Sequence, residues 1–191
     1  MSKKTATLIR TLTAAPIPAL CLVIILRLIR TDFFINDVHF CLFIFFLSAF
    51  PALSYLLSRT VPALKKGGRN TERNLAIIFS VSGYIGAFIT ALVGGTPNEK
   101  VLAATYLFSA VITAVLTLVK FKSSGHTCAL SGPVAMLCYS VNFWFAFGFL
   151  LLIPIYASSI KLGRHTFWQL LAGTAVPVVA MLVSIAIFAG F

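Results

Sequence analysis

Two short polar stretches between apolar runs hold the residues best suited to chemistry. The first is 121–127, with the sequence FKSSGHT, and the second is 158–169, with the sequence SSIKLGRHTFWQ. Each places a histidine beside basic residues at the end of a hydrophobic run. Imidazole acts as a nucleophile or transfers protons, while lysine and arginine hold anions. We therefore expect chemistry on an anionic group at these stretches.

The first stretch has the composition of a phosphate cradle. Lys122 supplies a point charge, and Ser123, Ser124 and Gly125 lead into a helix N-terminus. Free backbone N–H groups and the helix dipole favour an anion there. His126, on the first turn of that helix, would face the anion and donate a proton to a leaving oxygen. The alternative for this stretch alone is a loop with an interfacial lysine and histidine.

The second stretch pairs an arginine with a histidine before the last helix. Arg164 would hold phosphate oxygens beside His165, whose imidazole would act as a nucleophile. Gln169 follows four residues later, on the same face of the expected helix, and its side-chain oxygen would accept the other ring N–H. An amide cannot stabilise an imidazolium as a carboxylate would. Taken alone, the arginine and histidine are equally typical of a membrane edge.

The composition predicts an all-α integral membrane protein. Of the 191 residues, 60% are hydrophobic and only 10% are charged, and the mean hydropathy is +1.02, far from the values of soluble domains. The net charge of +11 does not indicate nucleic-acid binding, because the basic residues are confined to gaps between apolar runs. No metal or cofactor is expected. We interpret four residues as core packing residues, since they lie in apolar segments without ligand spacing: Cys21, Cys41, Cys128 and Cys138.

Hydrophobic runs predict a single membrane domain over 1–191. Pro16 and Pro18 interrupt the first run, which lacks a cleavage pattern, so we expect a retained helix with an irregular start. The small residues in SGYIGA would let another helix approach closely, and we interpret His39 as an interfacial histidine with its hydrogen bonds satisfied. We expect seven helices, at about 11–29, 39–58, 75–93, 101–119, 127–141, 143–159 and 166–191.

The run 128–157 is ambiguous, because one helix of its 30 residues would be ~45 Å long. Asn142 is its best turn signal, so we divide the run there. With the division and a cytoplasmic N-terminus, 12 basic residues lie inside and 3 outside, against 10 and 5 without it. The positive-inside rule favours the division. It also brings His126 and His165 to one face, predicted to be cytoplasmic.

Together the two stretches resemble the type 2 phosphatidic acid phosphatase superfamily of membrane lipid phosphatases. The family motif PSGH is similar to 123–126, with Ser123 in place of proline, and SRxxxxxHxxxD aligns on Ser158, Ser159, His165 and Gln169. The resemblance covers roughly residues 59–190, where the chain is similar to a divergent small bacterial branch of the superfamily. Ser159 stands where the family has arginine, Gln169 where it has aspartate, and the family's first motif has no clean match.

The resemblance implies a six-helix core and a division of roles. His165 would be the nucleophile and His126 the general acid, while Lys122 and the amides of Ser124 and Gly125 would bind phosphate. Compensation for the missing arginine would come from Arg164 and from Arg73, which lies beside Glu72 on the expected site face.

The expected function is hydrolysis of a lipid or isoprenyl phosphate or diphosphate in a bacterial inner membrane, through a phosphohistidine and without metal. The alternative is a catalytically impaired lipid-phosphate-binding or scaffold protein of the same fold, because Ser159 and Gln169 replace the family's arginine and aspartate. A small transporter is less favoured, since no acidic residue is expected in the middle of a membrane helix.

Overall fold

The computed structural model describes residues 3–189, except the side chains of residues 3, 4, 6, 7, 10, 69 and 70. Residues 1, 2, 190 and 191 of the predicted domain lie outside this description. The described residues form helices and no strands. The helices are α1 Lys3–Leu12, α2 Pro16–Ile29, α3 Asp37–Ile44, a π turn Phe45–Ala49, α4 Phe50–Thr60, α5 Pro62–Lys66, α6 Gly68–Leu92, α7 Pro97–Leu118, α8 Gly125–Ser140, a 3-10 helix Phe143–Leu151, α9 Leu152–Lys161 and α10 Phe167–Phe188.

Several helical segments are long and apolar enough to cross a membrane, as the composition predicts. Among the described residues there are five, which differs from the seven predicted, because α2 and α8 have only 14 and 16 residues. The five segments are Asp37–Thr60, Thr71–Leu92, Pro97–Leu118, Phe143–Lys161 and Phe167–Phe188.

The first predicted helix, 11–29, is interrupted rather than continuous. Helix α1 ends at Leu12, and α2 begins at Pro16 after a turn. Proline has no N–H to donate, so Pro16 and Pro18 remove two bonds of a continuous helix. The Ser48 hydroxyl donates to the Pro16 carbonyl at 2.8 Å and fastens the new helix start to the π turn.

The long run 128–157 is interrupted at residues 141 and 142. Helix α8 ends at Ser140, and the side-chain oxygen of Asn142 accepts a hydrogen bond from the Trp144 amide at 2.9 Å. The chain then continues as the 3-10 helix before α9 begins. The sequence predicted an α-helix from 143, whereas the first nine residues after the turn form the tighter 3-10 helix.

Glycines in α6 let the π turn approach closely. A Cβ at Gly83 would lie 2.3 Å from the Phe46 carbonyl oxygen, and one at Gly86 would lie 2.5 Å from the Phe46 ring. These are the small residues of the SGYIGA segment. The cysteines differ from the expectation of core packing, because Cys21 and Cys41 are exposed on apolar helix faces.

Helices α8 and α10 run parallel and in close contact. The Thr127 hydroxyl donates to the Leu170 carbonyl at 3.1 Å, and one turn later the Ser131 hydroxyl donates to the Thr174 carbonyl at 3.0 Å. A Cβ at Gly173 would lie 2.3 Å from the Thr127 hydroxyl oxygen, so only glycine permits this approach. The pairing brings the N-termini of both helices to the same end of the bundle.

A buried carboxylate fastens the opposite end, where α7 begins. Glu99 is fully buried and accepts hydrogen bonds from the amides of Ile35 and Thr96 at 3.1 and 2.7 Å. The His39 Nδ1 atom lies 3.2 Å from a Glu99 oxygen. His39 is therefore a hydrogen-bond partner of α7, which connects the start of α3 to the start of α7.

Candidate functional site

The two polar stretches identified in the sequence meet through their backbones. The Ser124 N–H donates to the Gln169 carbonyl at 3.0 Å, beside the bond from the Thr127 hydroxyl to the Leu170 carbonyl. The start of α8 therefore touches the first turn of α10. Each helix N-terminus carries partial positive charge and N–H groups without intrahelical acceptors. Two such ends side by side create a surface that attracts an anion.

His165 lies just before α10, and a capping box holds its side chain. The Thr166 hydroxyl accepts from the Gln169 amide at 3.4 Å, while the Gln169 side-chain oxygen accepts from the Thr166 amide at 3.2 Å. The same oxygen lies 3.2 Å from His165 Nδ1. The expected contact is present, but its cause differs from the prediction: His165 precedes the N-cap, so the two residues do not share a helical face.

A carbonyl oxygen facing a ring nitrogen determines the histidine tautomer. The Gln169 side-chain oxygen can only accept, so the contacting His165 Nδ1 carries the hydrogen. The lone pair of the neutral ring is then on Nε2, which is the nitrogen able to attack an electrophile. The imidazole of His165 is half-buried at the bundle end.

His126 is the second residue of α8, and the turn after α1 provides a partner for it. Its Nδ1 atom lies 3.2 Å from the Thr13 carbonyl oxygen, 113 residues away in sequence. The ring is half-buried. A carbonyl again requires hydrogen on Nδ1, so Nε2 is the nitrogen that would exchange a proton with a ligand. Neither spacing nor composition pointed to this partner.

The predicted phosphate cradle divides into buried and exposed residues. Ser123 and Ser124 are buried, and the Ser124 amide is used by the Gln169 carbonyl, so it supports the helix pair instead of facing an anion. Lys122 and Gly125 are exposed. Gly125 is the first residue of α8, where helix amides have no intrahelical acceptor. Lys122 and Gly125 are thus the cradle residues available to a ligand.

A basic cavity of about 420 Å³ adjoins the second stretch. Arg164, which precedes His165, lines it together with Glu72, and both were predicted site residues. Arg73 is exposed on α6 and is not among the lining residues. Three cations and one carboxylate therefore surround a space large enough for a phosphorylated headgroup. The lining residues are Ser58, Arg59, Lys65, Gly68, Glu72 and Arg164.

Sequence reasoning did not assign Arg59 and Lys65 to the site. Both belong to the most basic stretch of the chain, 59–74, whose charge was attributed to membrane topology. The positive charge of this stretch was therefore visible in the sequence, but the positive-inside rule already accounted for it. The fold adds the information that this stretch lies beside Arg164.

Ser159 occupies the position at which the resemblance expects an arginine, and it is fully buried in α9. Within the described residues, its hydroxyl has no hydrogen-bond partner. Its carbonyl accepts from the Arg164 amide at 3.0 Å, which closes the turn after α9. Ser159 thus shapes the loop that carries Arg164 to the cavity and does not itself line the cavity.

Over residues 3–189, no group of three histidine, cysteine, aspartate or glutamate side chains is arranged to hold a metal ion. No family model, curated protein or solved structure matches the chain. The likeness to membrane lipid phosphatases therefore rests on the motifs of the two polar stretches.

Proposed function

We propose that the chain is a membrane phosphatase that hydrolyses a lipid or isoprenyl phosphate or diphosphate through a phosphohistidine. The observation that carries the proposal is the contact between the Ser124 amide and the Gln169 carbonyl, which joins two parallel helix N-termini. Each of those ends has a histidine with its Nδ1 atom facing a carbonyl oxygen, His126 on α8 and His165 before α10. The six-helix core of the resembled superfamily is part of the same proposal.

In the first chemical step, the Nε2 lone pair of His165 attacks phosphorus. The bond between phosphorus and the lipid oxygen, or the bridging oxygen of a diphosphate, breaks as the new bond between nitrogen and phosphorus forms. His126 would enter this step as the doubly protonated imidazolium; it donates the Nε2 proton to the leaving oxygen and becomes neutral, with hydrogen on Nδ1 alone. In the second step, water gives a proton to His126 and attacks phosphorus, which releases inorganic phosphate and restores His165.

Binding of the substrate would divide between the cavity and the membrane. Arg59, Lys65 and Arg164 supply positive charge for the headgroup, and the two helix N-termini add their dipoles. The apolar chain would remain between the helices and the hydrocarbon, where burial contributes about 0.8 kcal/mol per methylene. Positive charge at this face also raises the local concentration of anionic substrates.

The test is phosphate release by purified protein from lipid and isoprenyl phosphates in mixed micelles. His165→Ala should reduce release to the level without protein, and His126→Ala should reduce it by roughly 10²–10⁴-fold, the usual contribution of a general acid. His39→Gln, at the opposite end, is the matched histidine control and should retain activity. Equal release by all three variants would disprove the assignment.

The cavity can be tested with a second matched pair. Lys65 lines the cavity, whereas Lys120 is exposed after α7 and does not. Lys65→Ala should raise KM for a lipid phosphate, while Lys120→Ala should leave it unchanged. Equal KM values for the two variants would remove the cavity from the proposed site.

A second function, binding without turnover, is favoured by the chemistry of Ser159 and Gln169. The buried Ser159 brings no guanidinium to the site, and the Gln169 amide cannot offset the charge of a phosphohistidine. On this alternative, the protein would bind lipid phosphates tightly and release no phosphate. Equilibrium binding of a radiolabelled lipid phosphate, measured beside the release assay, separates the two functions.

We also place the site on the cytoplasmic face of a bacterial inner membrane, on the basis of the charge distribution. A cysteine introduced near Lys161 should resist a membrane-impermeant thiol reagent in intact cells and react after the cells are opened. Labelling of intact cells would reverse the proposed orientation.

A further inference from the structure

The turn between α1 and α2 takes the Thr13 carbonyl out of the helical hydrogen-bond ladder, and two prolines lie at the start of α2. In a continuous helix, the Thr13 carbonyl would accept from the Ile17 amide. Here the Ile17 amide donates to the Ala14 carbonyl at 3.0 Å. Pro16 and Pro18 have no N–H for the Leu12 and Ala14 carbonyls, so the helix is interrupted on both sides of Thr13. The Thr13 carbonyl is thereby released from the helix, and it faces His126 Nδ1 at 3.2 Å.

The same N-terminal segment also contacts the second half of the site. Helix α1 packs against α9, the helix that ends at Lys161 and leads into the loop with Arg164 and His165. Residues 3–15 therefore contact the helix before one histidine and hydrogen bond to the other histidine.

We propose that Thr13 is a positioning residue for His126, and that residues 3–15 serve to present its carbonyl. The carbonyl holds the hydrogen on Nδ1 of His126 and leaves Nε2 as the nitrogen that exchanges protons. Thr13 acts through His126 and does not touch the substrate. This inference rests on the proposed function for its catalytic meaning, while the tautomer that it assigns does not depend on turnover.

The direct test is ¹⁵N NMR of the imidazoles in histidine-labelled protein, in detergent and without substrate. The His126 signals are identified by their loss in His126→Asn. We expect neutral His126 to have protonated Nδ1 and unprotonated Nε2. If wild-type protein instead has the proton on Nε2, the inference is overturned, whatever the activity of the protein.

The double variant Pro16→Ala/Pro18→Ala tests the cause. The two alanines restore N–H groups, so the helix should continue from α1 into α2 and the Ile17 amide should take the Thr13 carbonyl. His126 should then lose its fixed tautomer. Pro97→Ala, at the first position of α7 and at the opposite end of the bundle, is the matched proline control and should not change the His126 signals. A fixed tautomer in the double variant, with a continuous helix confirmed by its backbone shifts, would contradict the inference.

The activity of the double variant supplies a second measurement. Phosphate release should fall by roughly 10–100-fold, as for other losses of an orienting partner, through kcat with KM unchanged. If wild-type protein releases no phosphate, the proposed function fails while the tautomer result stands. If wild-type protein is active and the double variant equals it in kcat, the positioning role is wrong and the proposed function stands.

Discussion

Two capping boxes at opposite ends of the bundle each contact a histidine, but one does so with a carboxylate and the other with an amide. At the start of α7, Glu99 caps Thr96 and contacts His39 Nδ1 at 3.2 Å. At the start of α10, Gln169 caps Thr166 and contacts His165 Nδ1 at the same distance of 3.2 Å. The two boxes therefore share the geometry of the contact with the histidine ring, but the contacting group is a carboxylate in the first box and a neutral amide in the second.

The difference in burial accompanies the difference in chemistry. The Glu99 side chain is fully buried, and three N–H donors converge on it. These contacts hold the start of α7 to the segment that contains Ile35 and His39. Gln169 and His165 are half-buried, beside an open cavity lined by Arg164. A neutral amide orients the ring without holding it in an ion pair. The first box thus ties buried segments together, whereas the second orients a half-buried ring beside the cavity.

The largest effect should follow from removing the buried carboxylate. Glu99→Ala leaves the Ile35 and Thr96 amides and His39 Nδ1 without their acceptor. Loss of one member of such a buried set costs about 3–5 kcal/mol. Unfolding in mixed micelles should show this loss, and Glu99→Gln, which keeps one oxygen, should lose less. A Glu99→Ala variant as stable as wild type would show that the box does not hold the fold.

A smaller effect on stability, with a larger effect on the site, should follow from separating α8 and α10. In Gly173→Ala, the new Cβ would lie 2.4 Å from the Ser124 carbonyl oxygen, and backbone cannot move aside as a side chain can. We expect about 1–3 kcal/mol of destabilisation and loss of phosphate release as the contact between Ser124 and Gln169 opens. Gly132→Ala, on the same pair, is the control, because its Cβ would meet only Pro177 at 3.3 Å.

The sequence was sufficient to predict the features that depend on residues close together in the chain. Asn142 marked the interruption of the long run, and the prolines marked the irregular first helix. The sequence was not sufficient for contacts between distant residues: Thr13 reaches His126 across 113 positions, and no local pattern encodes that contact. The sequence analysis did not identify Glu99, because its burial depends on how the distant segment that contains Ile35 folds over it.

Replacing Gln169, the N3 residue of the second box, with glutamate would reproduce the chemistry of the first box. Gln169→Glu would give His165 a carboxylate partner like that of His39, and a carboxylate stabilises the positive ring that forms during phosphoryl transfer. We expect phosphate release to rise roughly tenfold, within the range that orienting partners contribute. Gln169→Ala, which removes the capping oxygen, should be slower than wild type. A Gln169→Glu variant no faster than wild type would show that charge at this position does not limit turnover.

The smallest effect should come from an exposed ion pair near the buried box. Arg30 donates to both carboxylate oxygens of Asp32, at 2.9 and 2.7 Å, and these hydrogen bonds lower the pKa of Asp32 from 3.8 to about 2. A depressed carboxyl pKa adds stability above 3.8, and that stability is lost as pH falls toward 2. At pH values above 4, the Tm of wild type should therefore be slightly higher than that of Asp32→Asn. The difference should vanish near pH 2. Because Arg30 also donates to the Ser140 carbonyl at 2.6 Å, Arg30→Ala should lower Tm further than Asp32→Asn at neutral pH. If the difference between wild type and Asp32→Asn did not change with pH, the ion pair would not form in solution.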